Sequence, residues 1–198
     1  MNKPRYDILR AEFLQLVVRL IADISRFDPA IAGINPKKAL FRINRDLRFA
    51  KDKAPYKTTF SAAMNATGLK KPSQGGGPSY YFHIDAQGKL LIAAGEWMPP
   101  ADRLRAIRQH VVDDPVGFGK VLKNRKLLQT FGDLQEEGKL VRPPKGFDMD
   151  GPHADYLKLK SFIVWIEIDV IKDPDALEQK VLATFKDAWP LIGWLREA

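Results

Sequence analysis

The sequence predicts an α+β fold, with a central, mostly antiparallel sheet and helices packed on it. Three observations predict it. A long stretch near the start has helical periodicity. Residues 79–97 have the alternation and the turn of a β-hairpin. Residues 161–170 alternate strictly just before a capped helix. The order of elements is neither a regular βαβ alternation nor a run of strands alone, which leaves α+β.

Residues 6–27 read as an amphipathic helix. Tyr6, Leu9, Phe13, Leu16, Val17, Leu20, Ile24 and Phe27 recur at three- and four-residue spacing, with Arg10, Glu12, Arg19 and Asp23 on the other face. Asp28-Pro29 ends it. Residues 39–45 read as a strand, with Phe41 and Ile43 pointing one way and Arg42 and Asn44 the other. Residues 46–56 are expected to be a loop or a short helical turn, because Pro55 pushes its predecessor out of the α region. A second strand spans 57–66. Residues 68–78, with Gly75, Gly76 and Gly77, form a connection. A strand follows these glycines instead of a helix N-terminus, so they do not read as a phosphate cradle.

In the hairpin, Tyr80, Phe82 and Ile84 share one face, while Tyr81, His83 and Asp85 share the other. Gly88 supplies the positive φ of the turn. Pro99-Pro100 closes this segment. Residues 101–112 read as a helix with an Arg103, Arg105 and Arg108 face. Another helix runs from Pro115, at a first helical position, to about Asn124. Between 125 and 151 only the P-P-K-G-F run around Lys145 reads plainly, as loop. Residues 153–160 suggest a short helix. Phe162, Val164, Ile166, Ile168 and Val170 then alternate with Trp165, Glu167 and Asp169 in a strand. Asp173-Pro174 caps a last helix through Trp189, broken at Pro190. Trp165, Trp189 and Trp194 read as packing residues. No repeat or linker divides the 198 residues, so one domain over 1–198 is expected.

Bulk composition narrows the class. No run of about 18 apolar residues exists, so no membrane span is expected. The start, M-N-K-P-R-Y-D, lacks the apolar core of a signal peptide. The absence of cysteine excludes disulfides and thiolate metal sites. It fits a reducing compartment, and a cytoplasmic location is expected. The net charge is +8. All of the excess lies up to Pro99, where 16 Lys and Arg face 8 Asp and Glu; beyond it the two signs balance. A basic half favours acidic partners such as phosphates, nucleic acid or an acidic protein surface.

The densest part of that charge is R-I-N-R-D-L-R-F-A-K-D-K-A-P-Y-K-T, residues 42–58. Arg42, Arg45, Arg48, Lys51, Lys53 and Lys57 stand there against Asp46 and Asp52 alone. Interleaved Phe41, Ile43, Leu47 and Phe49 anchor the segment. Guanidinium forks suit bidentate contact with phosphate or carboxylate oxygens, and ammonium groups add point charge. Asn44 and Tyr56 offer orienting hydrogen bonds. Tyr81 and His83 on the polar face of the hairpin are further candidates, and His83 and Arg42 would share a cavity if the two strands adjoin. His83 is the candidate acid or base, because imidazole titrates near neutrality. The plainer alternatives are a network of Arg–Asp and Lys–Asp pairs and a histidine bonded to a neighbour.

This stretch closely resembles the signature of a mainly bacterial family, the domain of unknown function 2461. The resemblance continues through S-Y-Y-F-H-I, A-A-G-E-W-M-P-P and P-P-K-G-F, and so covers most of the chain. It implies a shared fold and a shared site, and it implies no activity. Two departures stand out. The family's usual segment ahead of the first helix, with Asn, Arg, Trp and Phe, is expected to be absent, since Met1 falls after it. The usual Asp-His-Pro reads D-G-P-H at Asp150–His153.

The expected function is binding of a phosphorylated or otherwise anionic small ligand through Arg42, Asn44, Arg45, Arg48, Lys51, Lys53, Tyr56, Lys57, Tyr81 and His83. A nucleic-acid- or protein-binding module on the same basic surface is the alternative, and a phosphate-ester enzyme a third. No G-x-S-x-G is present. No nucleic-acid motif is recognised. His83, Asp85, Glu96, Asp148, Asp150, His153 and Asp155 lack metal-site spacing, so no metal and no cofactor are expected.

Overall fold

The computed structural model describes residues 3–44, 56–66, 77–142, 144–148 and 150–198. Among them are helices α1 (Lys3–Ile24), α2 (Pro36–Ala39), α3 (Ala101–Asp113), α4 (Pro115–Leu122), α5 (Arg125–Phe131) and α6 (Pro174–Arg196). The strands are β1 (Thr59–Asn65), β2 (Ser79–Asp85), β3 (Lys89–Glu96) and β4 (Phe162–Asp169). Short 3-10 turns lie at Pro29–Ile31 and Ala154–Lys158. The strands form one antiparallel sheet in the order β1-β2-β3-β4. The fold is α+β, as the element order predicted.

Period-two alternation divides the sheet into two unlike faces. Cross-strand rows Met64–Tyr80–Ala94–Val164 and Ala62–Phe82–Ile92–Ile166 point toward α1 and α6. On that side Phe13 and Phe185 close on Phe82, and Phe185 also meets Tyr80. Each such fully buried large side chain contributes about 1.5–3 kcal/mol. The intervening rows, Ala63–Tyr81–Ala93–Trp165 and Ser61–His83–Leu91–Glu167, look the other way.

The two long helices are locked to the sheet by one buried charge. Asp28 is fully buried just after α1. Its carboxylate accepts a fork from Arg196 at the end of α6, at 2.6 and 2.8 Å, and the Tyr80 hydroxyl at 3.0 Å. Burial, together with the Asp28 charge, pushes the Tyr80 phenol far up, so it stays a neutral donor. The side chain of Arg196 also covers the Trp189 ring at 5.4 Å.

Capping sets most helix starts. Asp114 accepts the Gly117 amide at the head of α4 and the Trp194 indole N–H from α6, tying the two helices. Asp173 caps α6 through the Ala176 amide. The arginines of α3 do not form one exposed face. Arg103 pairs with Glu96, Arg105 lies over Phe147 at 5.7 Å, and Arg108 is buried, donating to the Leu159 carbonyl.

Three expectations need correction. Of the strand expected over 39–45, the described part, residues 39–44, is not continuous. Pro36 opens a four-residue helix capped by Asn35, and only isolated bridges at Leu40–Ala62 and Asn44–Tyr56 follow. The last helix does not stop at Pro190, which sits inside α6. The carbonyl that Pro190 leaves without a donor belongs to exposed Lys186, and buried Leu191, Ile192, Trp194 and Leu195 hold the next turns in place. Helix α5 was not read from the sequence. Asn124 caps it through the Lys126 and Leu127 amides, and Gly132 ends it at φ 75°.

Replacing Asp28 by Ala is expected to cost about 3–5 kcal/mol, because it strands a buried guanidinium. A urea unfolding midpoint that hardly moves would refute this. Gly95 is a second sensitive point. It sits at φ 129°, and a Cβ there would lie 2.2 Å from the Phe162 carbonyl oxygen. Gly95→Ala should therefore destabilise by at least about 1–3 kcal/mol, measured by the same unfolding curve.

Candidate functional site

The face of the sheet turned away from α1 and α6 carries a cavity of about 460 Å³. Its floor comes from β2, β3 and β4: Tyr81, His83, Leu91, Ala93, Ile163 and Trp165. Three loops raise the walls. Phe41, beside β1, meets Tyr81 edge-on at 5.9 Å. Trp97 and Pro99 rise where β3 ends, and Glu137 stands on the β4 side. Cavities of this size, mostly apolar with a few placed polar groups, are typical of small-molecule sites.

Backbone geometry fixes the walls. The Phe41 amide donates to the Ser61 carbonyl at 2.9 Å, laying the segment along the outer edge of β1. Leu40 falls on the core side and is buried. The next residue, Phe41, therefore turns onto the open face. At the other edge the Gln135 amide donates to the Ile163 carbonyl at 2.9 Å, placing the 135–137 loop along β4. Met98 takes φ 45°, an uncommon conformation outside glycine, and its amide donates to Ser161 Oγ at 2.9 Å. This turn leaves the Trp97 ring 51% exposed at the mouth of the cavity.

The polar groups inside form a short relay. Tyr81 and His83 are joined by a hydrogen bond, with the phenol oxygen 3.1 Å from His83 Nδ1. With the phenol donating to Nδ1, the ring proton of His83 stands on Nε2, free to donate. Burial lowers the His83 pKa, against the opposing pull of Asp85 and Glu167, so the ring is neutral at pH 7. Burial also raises the Tyr81 phenol. Glu96, 4% exposed, is held by Arg103 at 3.0 Å; burial raises its pKa and the guanidinium opposes the rise.

The candidate residues named from the sequence separate into three groups. Tyr81 and His83 line the cavity. Arg42, Asn44, Tyr56 and Lys57 lie at its β1 edge, where Asn44 bridges Tyr56 and the Lys57 amide donates to the Ile43 carbonyl. Arg45, Arg48, Lys51 and Lys53 lie outside the described residues. Among the described residues Phe41, and not Arg42, is what this segment contributes to the wall shared with His83. Arg42 and Asn44 are exposed. The Lys57 ammonium stands 5.1 Å above the Phe41 ring. Desolvation lowers the Lys57 pKa, and the neighbouring Arg42 charge lowers it further. No carboxylate among the described residues lies within 4.0 Å of Arg42 or Lys57.

Phe41, Glu137 and Trp165 were missed as site residues. The sequence signal for Trp165 was its place on the polar face of an alternating strand, opposite the Val164 and Ile166 side. Nothing local marks Glu137. His153 has a structural role: Nε2 donates to the Pro115 carbonyl at 2.9 Å, and the ring packs edge-on against Phe118. Among the described residues no three His, Asp or Glu side chains cluster as metal ligands would. No helix among them is long and apolar enough to cross a membrane.

The neutral state of His83 makes a pH prediction. Its folded pKa lies below the ordinary histidine value of 6.5, so the unfolded chain takes the proton first. The contribution is fully present above about 6.5 and is lost as pH falls through the lower folded value. Between pH 7.5 and 5, wild type should lose stability relative to His83→Gln in urea titrations. Parallel curves for the two proteins would contradict it.

Among curated proteins and solved structures, none matches the chain. The family model described as conserved hypothetical protein (DUF2461) matches residues 1–194. That match spans the helices, the sheet and the loops that wall the cavity, and the chain belongs to this family.

Proposed function

We propose that this protein binds a small molecule bearing a phosphate or another anionic group. The ligand sits in the cavity on the open face of the sheet, with its charge toward Lys57 and Arg42. One observation carries the reading: Phe41 is at once a wall of the cavity and the ring beneath the Lys57 ammonium. A ligand resting against Phe41 is thereby brought beside two cations that repel each other. An anion between them relieves that repulsion and forms charge-assisted hydrogen bonds. Arg45, Arg48, Lys51 and Lys53 add positive charge in the same segment. Asn44 and Tyr56 orient the anion, and His83 Nε2 donates to the body of the ligand. The concave shape supports a small molecule over an extended polymer.

Calorimetry with inorganic phosphate, ribose 5-phosphate and phenyl phosphate tests this. Phenyl phosphate should bind, and Lys57→Gln should weaken it about tenfold or more. Failure of all three anions to bind wild type would overturn the proposal. If a short single-stranded oligonucleotide binds instead, with affinity falling steeply in salt, the basic surface is a nucleic-acid groove.

A further inference from the structure

The cavity has a polarity of its own. Its two ends lie at opposite edges of the sheet: Glu137 lines one, and the other is walled by Phe41, with the Lys57 ammonium over that ring but outside the lining itself. At the β1 edge stand Lys57 and Arg42. At the β4 edge stands Glu137, an exposed carboxylate in the cavity wall with no cation partner among the described residues. Between them the lining is aromatic, with Tyr81 and Trp165 on the floor and Trp97 at the mouth. A simple anion would use only one end of such a site and would be repelled by the other.

We propose that the occupant is a nucleoside monophosphate whose base carries an exocyclic amine. The inference rests on the anion-binding reading above and names the ligand class. The base lies among Tyr81, Trp165 and Trp97, because a flat heteroaromatic ring stacks on aromatic side chains of any identity. Its amine donates to Glu137, satisfying a carboxylate that the described residues leave unpaired. The phosphate reaches Lys57 and Arg42. His83 Nε2, a donor in the tautomer whose Nδ1 accepts a hydrogen bond from the Tyr81 hydroxyl, meets a ring nitrogen or a sugar oxygen between the two ends. The strained Met98 turn has a place in this arrangement. It holds a large, half-exposed indole at the mouth, where it covers a bound ring. Strain of this kind persists where the surroundings enforce it, here through the Ser161 hydroxyl.

The test uses the whole protein, calorimetry and quenching of tryptophan fluorescence. AMP should bind about tenfold or more tighter than ribose 5-phosphate, which lacks the base. It should also bind tighter than purine ribonucleoside 5′-monophosphate, which lacks the amine. Glu137→Ala should erase the second difference, and Trp97→Ala should weaken AMP several-fold while leaving ribose 5-phosphate unchanged. Both side chains are exposed, and circular dichroism confirms that the variants are folded. If ribose 5-phosphate or phenyl phosphate binds as tightly as AMP, the nucleotide assignment falls and the anion site stands. If AMP affinity is untouched in both variants, the assignment also falls. If no phosphate compound binds, both proposals fall together.

Discussion

The described structure depends on a sheet whose two faces are treated differently, with the long helices packed on one of them. Four antiparallel strands have two faces, and the long helices α1 and α6 take one of them. That side holds the Phe13, Phe82 and Phe185 cluster and the Asp28–Arg196 pair. Among the described residues the opposite face has no helix of comparable length against it. Loops reach in from its edges instead, and they do not fill the space between them. The cavity is thus a product of the architecture. Its lining is whatever the alternate residues of β2, β3 and β4 happen to be, and here Tyr81, His83 and Trp165 stand among small and aliphatic residues.

The buried Asp28 shows how costly the closed side is to maintain. A carboxylate removed from water is tolerated only when hydrogen bonds meet its lone pairs. Arg196 and Tyr80 together supply three donors, from the final helix and from the second strand. The segment after α1, the sheet and the end of α6 are therefore fixed to one another at a single point. The half-buried groups on the open side are looser by comparison. Tyr81 and His83 hydrogen-bond to one another across that face.

Much of the fold was legible because period and capping are local signals. The alternation in β2, β3 and β4 and the Asp173-Pro174 start of α6 need only neighbouring residues to be read. Pro190 misled because tertiary burial of Leu191, Ile192, Trp194 and Leu195 outweighs the missing hydrogen bond. The strand expected over 39–45 failed because Asn35 and Pro36 start a helical turn that the alternation of Phe41 and Ile43 hides. The site was half legible. The alternation put Tyr81 and His83 on one face, with Glu96 and Trp97 across it, without strand order, but Glu137 reaches the cavity through a loop whose course depends on distant hydrogen bonds. The reading of Arg42 fell short for a simpler reason: a one-residue difference in which side faces the sheet exchanges Arg42 for Phe41.

The connection between β3 and β4 has a kinetic consequence. The first three strands follow one another in sequence, and β2 and β3 are joined by a tight turn at Gly88. The last strand reaches its partner only after α3, α4 and α5 have intervened. Closing so long a loop costs chain entropy before any ladder hydrogen bond repays it, and distant pairings of this kind slow folding. Docking of β4 also brings Trp165 and Ile163 to the floor and the 135–137 loop to the rim. The pocket is consequently expected among the last features a nascent chain acquires, and any ligand bound there would act as a clasp on the slowest-forming pairing of the sheet.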